Sequence, residues 1–68
     1  MSDTTRRPVF LAPKEAAAEL RLSIRTLTRY RNERRGPAFH KIGGRVLYRN
    51  SDLYLWIERQ RFDPEAIR

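Results

Sequence analysis

Nothing in this chain can staple it. Its 68 residues include no cysteine and a single histidine, so neither a disulfide nor a zinc site is available to hold so short a fold together. A domain of this length lies near the lower limit for folding on apolar packing alone. One small core with a few kcal/mol of stability is therefore all the chain can build. No apolar run approaches the ~20 residues of a membrane helix. Arg6 and Arg7 are followed only by Pro8–Ala12 before charge returns, so no signal peptide is expected. Lacking cysteine, the chain suits the cytoplasm, and no metal or cofactor is expected.

The net charge of +7 is concentrated in the middle of the chain. Residues 21–49 carry Arg21, Arg25, Arg29, Arg31, Arg34, Arg35, Lys41, Arg45 and Arg49 against Glu33 alone, a net of +8. The segments before and after carry 0 and −1, which accounts for the total. Arginine outnumbers lysine eight to one in this stretch. Its flat guanidinium suits bidentate partners such as phosphate and guanine edges. A solvated basic face and a polyanionic partner both fit this distribution, and the partner is the leading reading.

Residues 1–8, "MSDTTRRP", are polar and aperiodic and read as a flexible arm. The domain is expected over 9–62, with 63–68 a short tail. The first helix lies in "FLAPKEAAAELRLS". Pro13 suits the first helical position, where its missing N–H has no partner to lose. Ala12 is a poor cap, but Glu15 can reach back toward it. Ala16, Ala17 and Leu20 form a narrow apolar stripe suited to close helix approach.

Ser23 can cap a second helix, "IRTLTRYRNERR", anchored by Ile24, Leu27 and Tyr30 or Arg31 and ended by Gly36-Pro37. Two helices joined by about three residues, the second strongly cationic, form a helix-turn-helix arrangement. With Leu27 inward, Arg25, Thr28, Arg29 and Asn32 face out, and Thr26 lies near the helix start. Arginine suits guanine, asparagine suits adenine, and threonine suits phosphate or a thymine methyl.

The stretch "FHKIGGRVLYR" reads as a cationic hairpin. A two-residue Gly43-Gly44 turn puts Lys41 with Phe39, Val46 and Tyr48 on one face. A three-residue loop, Gly43 to Arg45, instead collects His40, Ile42, Val46 and Tyr48 on one face. The hydrophobic pattern favours the second register, which makes Arg45 the tip. The last helix, "NSDLYLWIERQRF", is capped by Asn50 or Ser51, with Asp52 complementing its dipole. Leu53, Trp56 and Ile57 form its apolar stripe, and Trp56 is expected at the centre of the core. Tyr54, Leu55 and Phe62 fall outside that stripe. They are either scattered surface apolarity or a contact for a neighbouring protomer.

These residues closely resemble the excisionase-type, AlpA-like members of the MerR-related winged helix-turn-helix group. The likeness covers roughly residues 10–58. It rests on four motifs in order: Pro13-Lys14-Glu15-Ala16-Ala17, Ser23 with Thr26-Leu27, Gly43-Gly44-Arg45, and Tyr48-Arg49 with Ser51-Asp52-Leu53 leading to Trp56. The resemblance implies a mainly α fold with a small β-hairpin, the winged helix-turn-helix. It also implies a bacterial or phage protein that binds double-stranded DNA without catalysis and resides on nucleoid DNA. Excisionases of this kind act as recombination directionality factors. They bind adjacent sites, bend attachment-site DNA and help a tyrosine or serine integrase excise a mobile element, whereas close relatives regulate transcription. By position, Ser23, Arg25, Thr26, Thr28 and Arg29 fall in the recognition helix, and Lys41, Gly44, Arg45 and Arg49 in or beside the wing. Arg21 stands where the turn usually has glycine, and with Arg31 it is a candidate extra phosphate contact. Ala12 replaces the usual Ser or Thr cap, and Tyr54 and Leu55 make the third helix unusually apolar.

No catalytic constellation is read, and His40 is expected to serve the hairpin alone. A protein-interaction module without DNA binding is the rival class, with salt dependence as the discriminating measurement. So small a protomer covers little DNA, which favours several protomers in a head-to-tail array on direct repeats.

Overall fold

The computed structural model describes residues 9–65. The arm expected over 1–8 and the end of the tail lie outside them. In chain order the elements are β1 (Phe10–Leu11), α1 (Pro13–Leu20), α2 (Ile24–Asn32), β2 (His40–Ile42), β3 (Arg45–Arg49) and α3 (Asn50–Arg59). Three helices and an antiparallel hairpin make a winged helix-turn-helix. Strand β1 is an addition to the sequence reading. It pairs antiparallel with β3, Phe10 opposite Arg49 and Leu11 opposite Tyr48, giving a three-stranded sheet of order β1-β3-β2.

Helix α1 is the hub. Its start has half a capping box: the Glu15 carboxylate accepts a 2.8 Å hydrogen bond from the Ala12 N–H, and alanine has no hydroxyl to return it. Ala16 and Ala17 are buried, and around them pack Leu27 of α2, Tyr48 of β3 and Leu53 of α3. Methyl side chains let three elements approach one helix closely. Leu11, Leu20 and Val46 close the margin of this core.

Both helices of the helix-turn-helix end in the same way. After α1, Arg21 turns left-handed (φ 58°, ψ 38°). Its N–H donates to the Ala18 carbonyl, and the Leu22 N–H donates to that of Ala17. After α2, Arg34 does the same at φ 60°, with Arg34 N–H donating to Arg31 and Arg35 N–H to Tyr30. These are Schellman pairs, in which the left-handed position favours glycine. An arginine there carries strain of roughly 1–2 kcal/mol. The chain thus leaves α2 at Arg34, before the Gly36-Pro37 pair expected to end it. Gly36 serves close approach instead, since a Cβ there would sit 3.0 Å from the Tyr30 Cβ.

The hairpin corrects the expected register. His40 pairs with Leu47, Lys41 with Val46 and Ile42 with Arg45, which leaves Gly43 (φ 58°) and Gly44 (φ 82°) as a two-residue turn. Arg45 is therefore the first residue of β3 and flanks the tip. Turn chemistry outweighs the hydrophobic pattern for a physical reason. Two glycines adopt consecutive positive φ freely and match the strand twist, whereas a three-residue loop would put Arg45 in the left-handed position. Ile42 pairs with Arg45 on the face away from Val46 and Tyr48 and is left 51% exposed, so it contributes nothing to the core. His40 lies on the other face from Tyr48, edge-on to Phe10 at 5.3 Å between centroids.

Two further expectations change. Tyr48, at 0% exposure, holds the centre of the core in place of Trp56. Trp56 is half-buried at the rim, where its Nε1–H donates to the Arg35 carbonyl at 3.3 Å and its ring lies 6.0 Å from that of Tyr30. The indole N–H finds its acceptor there, on the chain just past α2. Asn50, expected as a cap, holds the residue that precedes β1. Its N–H donates to the Val9 carbonyl at 2.9 Å, and its Oδ1 accepts from the Val9 and Ser51 N–H groups at 3.1 and 2.9 Å. Ile24 is exposed at the margin of α2.

Candidate nucleic-acid interface

The orientation of α2 follows from Leu27, which is buried against α1. With about 100° between successive residues, Arg25, Arg29 and Asn32 project to the opposite side, and all three are exposed. Thr26 and Thr28 flank them, half-buried. No acid interrupts this face. Glu33, the one acid of residues 21–49, is taken up by Arg35 at 2.7 Å. Ser23 fixes the helix start: its Oγ accepts from the Thr26 N–H at 3.0 Å and donates to Thr26 Oγ1 at 2.9 Å. Both hydroxyls are thus already engaged in the cap, while remaining at the leading end of the helix.

Arg31 lies elsewhere. It is half-buried where α2 meets the wing, with its Nη1 donating to the Tyr48 hydroxyl at 3.5 Å and its guanidinium 5.9 Å from the Phe39 ring. The candidate phosphate contact is also a brace between the two cationic elements. Arg35 stacks on Tyr30 at 4.6 Å, which ties the chain after α2 to the Tyr30–Trp56 pair.

The observed register gives the wing a cation on each face. Lys41 shares a face with Val46, Arg45 shares the other with Ile42, and both cations are exposed beside the Gly43-Gly44 turn. Arg49 stands at the base. Its Nε is buried and lies 3.8 Å from Asp52 Oδ2, the carboxylate oxygen that also sits 3.6 Å from His40 Nε2. Asp52 therefore joins β2, β3 and α3, and Arg49 acts in part as a strut.

Arg34 is a cation that the sequence does not single out. It lines an open cavity of about 430 Å³ with Arg31, Gly36, Pro37, Ala38 and Phe39. Without a glycine directly after the periodic run, the sequence carries no sign that the chain turns left-handed there. Arg21 is exposed in the turn between the helices. Of the apolar residues set apart on α3, Tyr54 borders a small cavity with Val9, Leu11 and Leu53. Leu55 faces away from Leu53 at 58% exposure, and Phe62, past the helix, is 74% exposed.

Among the described residues no helix is long and apolar enough to cross a membrane. No curated protein and no solved structure matches the chain. A family model described as a helix-turn-helix domain matches residues 10–61, the span from β1 to just beyond α3. Two helices joined by a three-residue turn, the second with an uninterrupted cationic face, agree with that match, and the chain belongs to this family of DNA-binding helix-turn-helix domains.

Proposed function

We propose that the protein reads specific duplex DNA with α2 in the major groove and the wing along the neighbouring backbone, and that it serves as an excisionase-type recombination directionality factor. The observation that carries the first half is the face of α2: Arg25, Arg29 and Asn32 exposed opposite a buried Leu27, with no acid among them. Guanidinium and carboxamide groups on one helical face are the side chains that make bidentate contacts to guanine and adenine edges. The excision role is supported by the order and spacing of the AlpA-like motifs. In that role an integrase is the protein partner, adjacent copies sit head to tail on direct repeats, and the site of action is the bacterial nucleoid. The domain is assigned to residues 9–62.

Fluorescence anisotropy on a mixed-sequence duplex and on a site obtained by selection, across a salt series, tests the DNA-reading half. Binding should weaken linearly in log–log form with salt, by about 0.9 per phosphate neutralised, and the selected site should bind more tightly. Equal affinity for both duplexes, or binding indifferent to salt, counts against it. An integrase-dependent excision assay separates the directionality role from transcription regulation. Excision that proceeds equally without the protein would leave regulation as the reading.

A further inference from the structure

Arg21 and Arg34 hold the same place in two successive helices. Each is the left-handed residue that follows its helix, and each is exposed. Glycine or asparagine takes that backbone more readily, so the side chains run against the local preference. Neither guanidinium makes a hydrogen bond, ion pair or ring contact among the described residues, so neither returns stability to the fold. Strained positions of this kind collect at functional sites.

Their placement indicates the function. One lies just before α2 and the other just after it. The nine residues of α2 span about 13–14 Å at the standard helical rise, close to the ~12 Å width of the major groove. A helix of that length lying across the groove brings a cation beyond each end to a phosphate strand. Arg34 also shares its open cavity with Arg31, so two arginines line one concavity of ample size for a phosphate.

We infer that Arg21 and Arg34 are a pair of phosphate clamps that bracket α2 and set its seating in the groove, with the left-handed backbone retained for that contact. The inference rests on the DNA-reading proposal above and adds to it the residues that position the helix without reading bases.

Arg21→Gly and Arg34→Gly test it in the full chain, by thermal unfolding without DNA and by anisotropy on a mixed-sequence duplex across salt. Each glycine should raise the melting temperature by about 4 °C through relief of strain. Each should also weaken binding about eightfold at 0.1 M salt and reduce the log–log slope by about 0.9, the share of one phosphate. Arg21→Lys and Arg34→Lys should keep the slope. Glycine variants that bind with wild-type affinity and slope would overturn the clamps while leaving the DNA reading intact. So would variants that melt lower than the wild type, since the arginines would then be supporting the fold. A wild-type chain that binds no duplex at any salt would overturn the DNA reading and the clamps together.

Discussion

Arg29 and Arg45 are both exposed arginines, yet their backbones place them in different work. Arg29 sits mid-helix on the side opposite Leu27, where a side chain can enter a groove and meet base edges. Arg45 opens β3 opposite Ile42, next to the turn, where in the proposed binding mode it would meet the sugar-phosphate wall and the width of the groove. Arg29→Ala is expected to lose about 1–3 kcal/mol of binding and to relax sequence preference. Arg45→Ala should weaken all sequences alike and lower the salt slope by about 1. Selection of binding sites with each variant checks this. If Arg45→Ala changes preference and spares overall affinity, the wing reads bases.

Elements differ in how plainly they are written in the chain. The helices were legible because Leu27, and Leu53 with its neighbours, repeat at helical spacing and each helix has punctuation at its start. Strand β1 was not, because two residues carry no period and their partners, Tyr48 and Arg49, lie far along the chain. The wing register was not legible from alternation, because Ile42 sits on the face away from Val46 and Tyr48 and the Gly43-Gly44 turn decides the pairing. Of the recognition face, Arg25, Arg29 and Asn32 were legible from the position of Leu27. The bracing of Arg31 was hidden because it depends on Tyr48 and Phe39 arriving from the hairpin. The cap of α1 offers an element-scale test. Ala12 already has the extended backbone of a cap (φ −67°, ψ 159°) and the returning Glu15 bond. Ala12→Ser would complete the box and should add about 1 kcal/mol, a rise of roughly 4–8 °C in melting temperature, with DNA affinity unchanged. No rise would mean the hydroxyl fails to reach the Glu15 N–H.

For the whole molecule, the decisive quantities are charge and size. The cationic excess lies in the helix-turn-helix and wing, while residues 50–68, which include α3, carry a net of −1. A neighbour's basic surface would not be repelled by α3, and Leu55 and Phe62 give it exposed apolar area. Footprinting on DNA with two direct repeats should therefore show protection of the second site at lower protein concentration than on a lone site. Leu55→Ser, which removes the apolar contact without adding charge, should abolish that advantage while leaving single-site affinity unchanged. Independent filling of the two sites by the wild type would remove α3 from any role in assembly.

The two alanines at the heart of α1 have a wider consequence. Because α2 and β3 both rest against Ala16 and Ala17, the spacing between helix and wing is gauged by two methyl groups. A single added methylene at either position would act as a shim. It would spread the helix and the wing apart before it disturbed any arginine, so in the proposed binding mode the spacing offered to DNA is set by two buried residues.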